Sequence, residues 1–378
     1  MTADRPRRWP ATFFIGAAVI VIAEGLLGLD IARRGGAVVP EAPLPPADDD
    51  LLAQAARWTA AHMTAIAWCG YLLVFEGLLT ALAWRRGESA GSCVRRRPWL
   101  FVVAYLTSVP VWCYWDWINF YFMDAWRYHG LPENLADRYV SYFLAFAAIS
   151  PGMFLAAQLY QRLGLAKLRT GTGERAAFVT LCICAAIACG LALSLMVVWA
   201  EKLYFGIDIG SGALLLLGPG LAMVVWTRVR DGRPCLYASA MAFGAGWVVY
   251  SFAVGNPVGN FVMWASPVFL LDPLNQKLGR PSLLRDWAAG RWGRTIALMA
   301  GGLTCGLLWE FWNYWAIAKW TYHLDFLGPL ENIRYFEMPV VGLIGFLPFG
   351  PACWVMLQTL LLLMPRVTEP LPSDHDVL

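Results

Sequence analysis

Long apolar runs separated by short polar segments dominate this chain. Runs of roughly 17–25 apolar residues have the length of a helix that crosses a bilayer. They predict ten transmembrane helices, at residues 11–29, 61–84, 98–122, 138–161, 175–200, 211–227, 236–253, 257–272, 293–316 and 338–364. A single broken helix across 236–272 is the alternative to the seventh and eighth helices, and it would reverse the orientation of every later helix.

Composition agrees with this pattern, because 59% of the 378 residues are hydrophobic and only 15% are charged. That is more apolar than a soluble core requires. We therefore predict an all-α, polytopic transmembrane helical bundle of about ten helices. We divide it into an N-terminal helix with an outer loop (1–60), a first three-helix repeat (61–165), central helices (166–255), and a second three-helix repeat with a cytoplasmic tail (256–378).

Positive charge is unequally divided between the two sides of the predicted bundle. If the N-terminus is cytoplasmic, 21 of the 29 Lys and Arg residues fall on the inner side, as the positive-inside rule expects. We expect an integral protein of the bacterial cytoplasmic (inner) membrane, with both termini cytoplasmic. The net charge of +3 then reflects loops that face anionic headgroups, and no nucleic-acid partner is expected.

One aromatic segment occurs twice. Residues 115–129, WDWINFYFMDAWRYH, align without a gap with residues 309–323, WEFWNYWAIAKWTYH. Five of the fifteen positions are identical, and an acid follows the first Trp in both copies. The copies lie six predicted helices apart, an even number, so the two repeats have the same orientation. Parallel repeats usually pack about an axis along the membrane normal, with a site between them.

Acids inside membrane helices are rare and costly, so they are candidates for functional residues. Glu24 is interpreted as bonding a backbone carbonyl or a neighbouring helix. No Lys, Arg or His lies deep in any predicted helix, and Lys319 and Arg334 are placed at the outer interface. An unpaired acid in an apolar environment favours its neutral form. The candidate catalytic acids are Glu310, Glu337, Asp116, Asp272 and Glu76.

A carboxylic acid held neutral can protonate an olefin or an epoxide, and aromatic rings can stabilise the resulting carbocation. Asn119 and Asn313 lie on nearly the same helical face as the acids three residues before them, so we expect them to orient the carboxyl groups. Glu76 and Asp272 lie on the order of 15 Å deeper, where they either form a second site or fasten the inner loops. The candidate substrate-binding residues are Trp309, Asn313, Trp320, Tyr322, Trp115, Asn119, Trp126 and Tyr128.

Trp-Asp/Glu, then Trp-x-Tyr, then an acid-and-Pro phrase, repeated in parallel, resembles the lycopene cyclase domain of integral membrane carotenoid cyclases. The resemblance implies protonation of a linear polyene and closure of its end ring without a redox cofactor. The family's phrase is Pro-x-Glu-Glu, whereas here one Glu precedes Met338-Pro339 and the first copy has Ser141 near that place. The match rests on Trp309, Glu310, Trp320, Tyr322 and Glu337-Met338-Pro339 in the second copy and on Trp115, Asp116, Trp126 and Tyr128 in the first.

Three functions remain open at this point. The first is a cofactor-independent cyclase or isomerase of a lipophilic isoprenoid, with Glu310 as the leading general acid and with Glu337 and Asp116 assisting. The second is a non-catalytic binder of carotenoid, quinone or other lipid. The third is a proton-coupled transporter, which a polar path from Asp272 to Glu310 would favour. Nine cysteines without Cys-x-x-Cys spacing indicate no metal site, and no cofactor is expected.

Overall fold

The computed structural model describes residues 9–40, 44, 50–89, 91–169, 263–364 and 377–378, with scattered positions between 240 and 252. The predicted helices at 175–200 and 211–227, and most of 236–253, lie outside the described residues. The described part is mostly helical, with short strands that connect the helices.

The bounds of the described elements follow the chain in order. The helices are α1 Ala11–Arg33, α2 Leu51–Arg85, α3 Cys93–Arg96, α4 Pro98–Ile118, α5 Leu135–Arg162, α6 Ser266–Lys277, α7 Leu283–Ala288, α8 Gly293–Trp315 and α9 Phe346–Leu360. The strands are β1 Trp126–His129, β2 Lys319–Tyr322, β3 Arg334–Tyr335 and β4 Met338–Pro339. A π-helical segment continues α4, and 3-10 segments follow α5, lie between the later strands and flank α9; these are Asn119–Met123, Leu165–Lys167, Asp325–Asn332, Val340–Gly345 and Leu361–Leu363.

Five helical stretches of the described chain are long and apolar enough to cross a membrane. They are Ala11–Arg33, Leu51–Arg85, Leu135–Arg162, Gly293–Trp315 and Val340–Leu363. Helix α4 has the required length, but its Trp, Tyr, Thr and Ser residues reduce its hydropathy and it is not among the five.

Three predicted helix bounds were wrong. Helix α2 begins at Leu51 and not at 61, because Asp50 caps it by accepting a hydrogen bond from the Ala53 amide at 2.8 Å. Residues 257–262 of the predicted span 257–272 lie outside the described residues, and α6 continues beyond the predicted end to Lys277. The predicted span 338–364 opens with β4 and a 3-10 segment, since Pro339 lacks an amide hydrogen and the Val340 amide donates outside any helix, to the Ile333 carbonyl.

Helices α2, α5 and α8 form the centre of the described bundle. Trp68 of α2 is fully buried, and its ring lies 5.5 Å from the rings of both Trp309 and Trp312 on α8. Helix α9 approaches α8 so closely at Gly350 that an added Cβ would lie 2.1 Å from the Leu298 carbonyl oxygen. Helices α4 and α8, which carry the two copies of the acid motif, both pack against α5.

Glu76 and Asp272 fasten the segments that follow them. Arg95 of α3, the short helix that follows α2, donates to Glu76 at 2.6 Å. Asp272 accepts hydrogen bonds from the Ser282 hydroxyl at 2.8 Å and from the two backbone amides that follow it at 3.0 and 2.8 Å. The expectation that no cation pairs with these acids is therefore wrong for Glu76, because α3 brings Arg95 back to it.

Candidate functional site

Strands β1 and β2 form an antiparallel ribbon that joins the two copies of the motif. Trp126 pairs with Tyr322, and Tyr128 pairs with Trp320, so each Trp lies opposite the Tyr of the other copy. Side chains alternate along a strand, and all four rings therefore point to one face of the ribbon. All four line the same cavity. The sequence predicts only outer loops at these positions.

The asparagine of each motif binds the strand that follows it. Asn119 Oδ1 accepts from the amides of Ala125 and Trp126 at 2.8 and 3.1 Å, and its Nδ2 donates to the Trp126 carbonyl at 2.8 Å. Asn313 likewise accepts from the Trp320 amide at 2.9 Å and donates to the Trp320 carbonyl at 2.8 Å. The expectation that Asn119 and Asn313 orient the carboxyl groups is wrong. Their side-chain amides instead bond to backbone groups that have no helical partner beyond the end of the helix.

Each acid of the motif accepts a hydrogen bond from the tyrosine of its own copy. Tyr322 Oη donates to Glu310 Oε1 at 2.8 Å, and Tyr128 Oη donates to Asp116 Oδ1 at 2.9 Å. Glu310 is 0% exposed and Asp116 is 9% exposed. Both tyrosines line the cavity, whereas neither carboxyl group does. The phenol is therefore the group between each carboxyl and the cavity, an arrangement that depends on the ribbon folding back over the helix ends.

The two indoles complete these networks differently. Trp126 Nε1 donates directly to Asp116 Oδ1 at 3.1 Å, whereas Trp320 Nε1 donates to Tyr322 Oη at 2.8 Å. Among the described residues, Glu310 Oε2 is buried and has no hydrogen-bond partner. If Glu310 were ionised, its Oε2 would carry buried negative charge without a hydrogen-bond donor, which is costly.

A cavity of about 480 Å³ lies between the two copies. Its volume is within the range of about 300–1,000 Å³ that is usual for small-molecule sites. Trp115 lies behind the wall, with its ring 4.3 Å from the ring of Trp264. The aromatic wall consists of Trp112, Trp126, Tyr128, Phe146, Trp264, Trp309, Trp320, Tyr322, Phe346 and Phe349.

Several wall residues lie outside the repeated motif. Trp112 precedes Trp115 by one helical turn, and this spacing could have identified it as a neighbour of the motif. Trp264 lies in a turn before α6, and Phe346 and Phe349 lie at the start of α9. No repeat marks these three positions, so sequence reasoning missed them.

Glu337 lies in a buried ion pair and not in the cavity wall. Lys319 of β2 donates to Glu337 Oε1 and, at 2.8 Å, to the Tyr314 carbonyl. Lys319 is 1% exposed and Glu337 is 8% exposed. The expectation that no cation pairs with the candidate acids is therefore wrong for Glu337 as well, because β2 brings Lys319 to it. Glu310 and Glu337 therefore do not meet on one enclosed cavity.

Glu24 is bonded to a neighbouring helix, which is one of the two partners expected from the sequence. Its Oε1 accepts a hydrogen bond from Trp312 Nε1 of α8 at 2.8 Å. Glu24 is absent from the residues that line the cavity, so this acid connects α1 to α8 and does not face the cavity.

The outer edge of the ribbon carries two histidines. His129 Nε2 lies 2.8 Å from Thr321 Oγ1 of the opposite strand. Desolvation, together with nearby His323 and Lys319, lowers the pKa of His129 below its ordinary value. His323 is exposed and lines the cavity mouth, so it takes part in the site that the sequence assigns only to the aromatic motif and the acids.

No described group of three or more His, Cys, Asp or Glu side chains could hold a metal ion. Comparison of the chain with protein-family models, with curated proteins and with solved structures finds no match in any of the three.

Proposed function

We propose that this protein is a membrane enzyme that cyclises or isomerises a lipophilic isoprenoid by acid-initiated chemistry, without a cofactor. This is the activity implied by the resemblance to the lycopene cyclase domain. One observation carries the proposal: a buried carboxyl group bonded to a tyrosine that lines an aromatic cavity, which occurs twice.

The proposal includes duplication of a three-helix unit within a ten-helix membrane protein, with the two copies packed as parallel repeats. Two features of the ribbon support it. Asn119 and Asn313 make equivalent hydrogen bonds to Trp126 and Trp320. In the ribbon, the Trp of each copy lies opposite the Tyr of the other copy, as a two-fold axis between the copies requires.

The reaction begins at Glu310, whose carboxyl group holds a proton in the resting enzyme. Because the Tyr322 hydroxyl donates to Glu310 in the structure, it first turns to the substrate and accepts a hydrogen bond from the Glu310 carboxyl group. Glu310 then passes its proton to Tyr322 Oη while Tyr322 passes its own proton to a terminal double bond of the substrate. A C–H bond forms from the π electrons of that double bond, and a cation remains on the neighbouring carbon. The next double bond attacks the cation and closes a ring, and the faces of Trp309 and Trp320 stabilise the positive charge.

Loss of a C–H proton then completes the reaction. The pair of electrons from that C–H bond forms the new double bond, and the proton returns through Tyr322 to the Glu310 carboxylate. Substrate and product are isomers, so no electron and no net proton is consumed. This balance is consistent with a site built only from side chains.

The two copies have unequal roles in this mechanism. Glu310 is fully buried and its second oxygen has no described donor, whereas Asp116 receives a second hydrogen bond from Trp126. The additional donor stabilises the ionised form of Asp116, so Glu310 is the leading acid and Asp116 assists. Glu337 has no part in proton donation, because Lys319 neutralises it.

A non-catalytic lipid binder is the second candidate, and one observation favours it. Both carboxyl groups stand behind phenols and neither lines the cavity, so the aromatic wall could hold a ligand without reacting. The transporter alternative receives less support. Asp272 bonds to the inner segment around Ser282, whereas Glu310 bonds to Tyr322 at the opposite end, so the two acids do not share a described path.

The test uses cells that accumulate linear isoprenoids, with chromatography of the lipid extract. The wild-type chain should yield a cyclised isomer. Glu310→Gln and Tyr322→Phe should each lower its yield by about 10²–10⁴-fold, the usual contribution of a general acid. Glu24→Gln is the matched control, because it makes the same change in an acid bonded to the same helix but outside the cavity wall, and it should leave the yield unchanged.

Two other results would reject parts of the proposal. Unaltered linear isoprenoid that co-purifies with the wild-type protein would support the binder. A cyclised product that persists in Glu310→Gln would remove Glu310 as the acid.

A further inference from the structure

The indole of Trp320 bonds to the phenol that the proposed mechanism uses as proton donor. Trp320 Nε1 donates to Tyr322 Oη at 2.8 Å, and Tyr322 Oη donates to Glu310 Oε1 at 2.8 Å. The two rings lie two residues apart on β2, so they point to the same face of the strand. Both line the cavity. The phenol oxygen therefore accepts one hydrogen bond from the indole while it donates another to the acid.

The surroundings of Trp320 hold its indole in place. Asn313 Oδ1 accepts from the Trp320 amide at 2.9 Å, and Asn313 Nδ2 donates to the Trp320 carbonyl at 2.8 Å. Tyr128 is the residue that pairs with Trp320 on the other strand. The Trp320 ring packs edge to face with the Trp309 ring, and the ring centroids are 6.1 Å apart. The N–H group is therefore positioned by the fold, and donors that are preorganised in this way contribute most to catalysis.

The bond from Trp320 is compatible with both directions of the Tyr322 hydroxyl. A phenol has one O–H donor and two lone pairs that accept hydrogen bonds. Rotation about the Cζ–Oη bond moves the hydrogen but leaves the oxygen where it is. When the O–H group turns from Glu310 toward the substrate, the oxygen keeps the bond from Trp320 and accepts a second bond from the Glu310 carboxyl group. Both lone pairs of the oxygen are then used.

A donor to this oxygen matters because the environment of Tyr322 makes it a weak acid. Desolvation by burial raises the pKa of Tyr322 well above its ordinary value, and the neighbouring Glu310 raises it further, whereas the hydrogen bond from Trp320 lowers it. Negative charge develops on Oη as its proton moves to the double bond. A donor aimed at an oxygen where charge develops stabilises the transition state more than the ground state.

The two copies of the motif differ at this hydrogen bond. In the first copy, the equivalent indole of Trp126 donates to Asp116 Oδ1 at 3.1 Å. Tyr128 Oη donates to the same oxygen at 2.9 Å. The indole of the first copy therefore bonds the acid, whereas the indole of the second copy bonds the phenol.

We propose that Trp320 is a positioning residue that makes Tyr322 a stronger acid, through the hydrogen bond that its indole donates to the phenol oxygen. This inference rests on the proposed function, which assigns Tyr322 as the group that protonates the substrate. It gives Trp320 a role beyond that of a ring in the cavity wall. It also gives a physical reason for the leading role of the second copy.

The first test measures the acidity of the phenol directly and uses no substrate. Tyr322 is replaced, in the full-length chain in detergent micelles, by a tyrosine with a fluorine on each side of the hydroxyl, and fluorine NMR follows its ionisation. Trp320→Phe removes the N–H group but keeps an aromatic ring. It should lower the acidity of this phenol by about tenfold, which is a rise of about one in its pKa. Trp126→Phe is the matched control, because its indole bonds Asp116, and it should leave this acidity unchanged.

The second test measures the conversion of a linear isoprenoid. Replacement of Trp320 by benzothienylalanine keeps the two fused rings and exchanges the N–H group for sulphur, so the packing of the ribbon is retained. The rate of conversion should fall by about 10²–10³-fold, the usual effect of losing one donor to a developing oxyanion, while the affinity for substrate stays the same. In Trp320→Phe, the fluorinated tyrosine should restore part of the lost rate, because a more acidic phenol depends less on the indole. A folding defect would not be rescued in this way.

Equal acidity of the phenol with and without the Trp320 indole would overturn the inference. An unchanged rate of conversion in the benzothienylalanine protein would overturn it as well. Absence of product from the wild-type chain would instead reject the proposed function. The fluorine titration would still decide whether Trp320 acts on Tyr322, because it requires no substrate.

Discussion

At the scale of single residues, the hydroxyl groups of Tyr128 and Tyr322 connect the buried acids to the cavity. A general acid acts only when its proton lies within hydrogen-bond reach of the reacting atom. The carboxyl groups of Asp116 and Glu310 do not line the cavity, but the phenols do, and each phenol is bonded to its acid at 2.9 or 2.8 Å. Proton donation to a bound molecule therefore has to pass through tyrosine.

The acids and their aromatic neighbours could be predicted as single residues, because the recurrence of Trp-acid-x-x-x-Asn distinguishes them from ordinary interfacial aromatics. The hydrogen-bond or ion-pair partner of each side chain could not be predicted. Asn313 turned to the backbone of β2, and Lys319 became buried against Glu337. Both outcomes depend on where the chain goes after the helix ends, and side-chain spacing within the helix carries no information on that.

Lys319→Met should destabilise the protein, because it leaves Glu337 buried without its cation. Loss of one partner of a buried ion pair usually costs about 3–5 kcal/mol, whereas an apolar pair in the same place is often tolerated. The free energy of unfolding in mixed micelles should therefore fall in Lys319→Met and largely recover in the double variant Lys319→Met/Glu337→Met. Equal stability of the single and double variants would show that the pair is unimportant.

At the scale of elements, the β1–β2 ribbon is the feature that brings the two motifs to one cavity. Its strands have four residues each and are separated by about half of the chain. Strands of four residues show too little alternation of apolar and polar side chains to be recognised in a sequence. The pairing of strands so far apart in the chain is set by tertiary packing and not by local propensity. The helices before and after the ribbon could be predicted from hydropathy, but the ribbon could not.

Gly130→Ala should disturb the ribbon where β1 ends. Gly130 has a φ of +60°, and a Cβ there would lie 2.1 Å from the Ile317 carbonyl oxygen. The left-handed conformation alone costs an alanine about 1–2 kcal/mol, and the clash adds to this. Gly87→Ala is the matched control, because Gly87 has a φ of +77° and open space around its Cβ position.

The free energy of unfolding should therefore fall further in Gly130→Ala than in Gly87→Ala. A difference between them measures the contact between the β1 turn and the segment before β2. Equal losses in the two variants would contradict the close approach of these segments.

The ribbon should also make stability depend on pH through His129. The pKa of His129 is lowered in the folded protein from its ordinary value of 6.5, so the unfolded chain binds the proton more readily. Its contribution to stability is then fully present above a pH of about 6.5 and is lost as the pH falls toward the lowered pKa. The midpoint of thermal unfolding should drop between about pH 7 and pH 5, and the drop should be smaller in His129→Asn. An identical drop in the variant would exclude His129 as its source.

At the scale of the whole molecule, the arrangement of apolar helices could be predicted best. The first four predicted spans correspond to α1, α2, α4 and α5, and the ninth corresponds to α8. All of these except α4 are long and apolar enough to cross a membrane, which is why hydropathy located them. The later bounds were less accurate, since β4 and the 3-10 segment Val340–Gly345 replaced the first part of the tenth predicted helix.

The orientation that the charge distribution predicts for the bundle can be tested with reporter fusions. A fluorescent protein fused after Glu88, in the arginine-rich segment that follows α2, should fluoresce because that segment is predicted to be cytoplasmic. Alkaline phosphatase fused after Gly130, beyond β1, should be active because the ribbon is predicted to lie on the outer side. The reverse result at both positions would invert the predicted topology, and with it the leaflet that supplies the ligand.

The most direct test of the proton relay is isotope incorporation in D₂O. Purified protein is equilibrated in D₂O and then incubated in molar excess over a linear isoprenoid, so that each protein molecule turns over at most once, and the product is analysed by mass spectrometry. Because the proton added to the double bond comes from an exchangeable carboxyl–phenol pair, each closed ring should contain one carbon-bound deuterium, and Tyr322→Phe should form almost no product. Cyclised product without deuterium, or labelled product formed equally well by Tyr322→Phe, would contradict proton transfer through Glu310 and Tyr322.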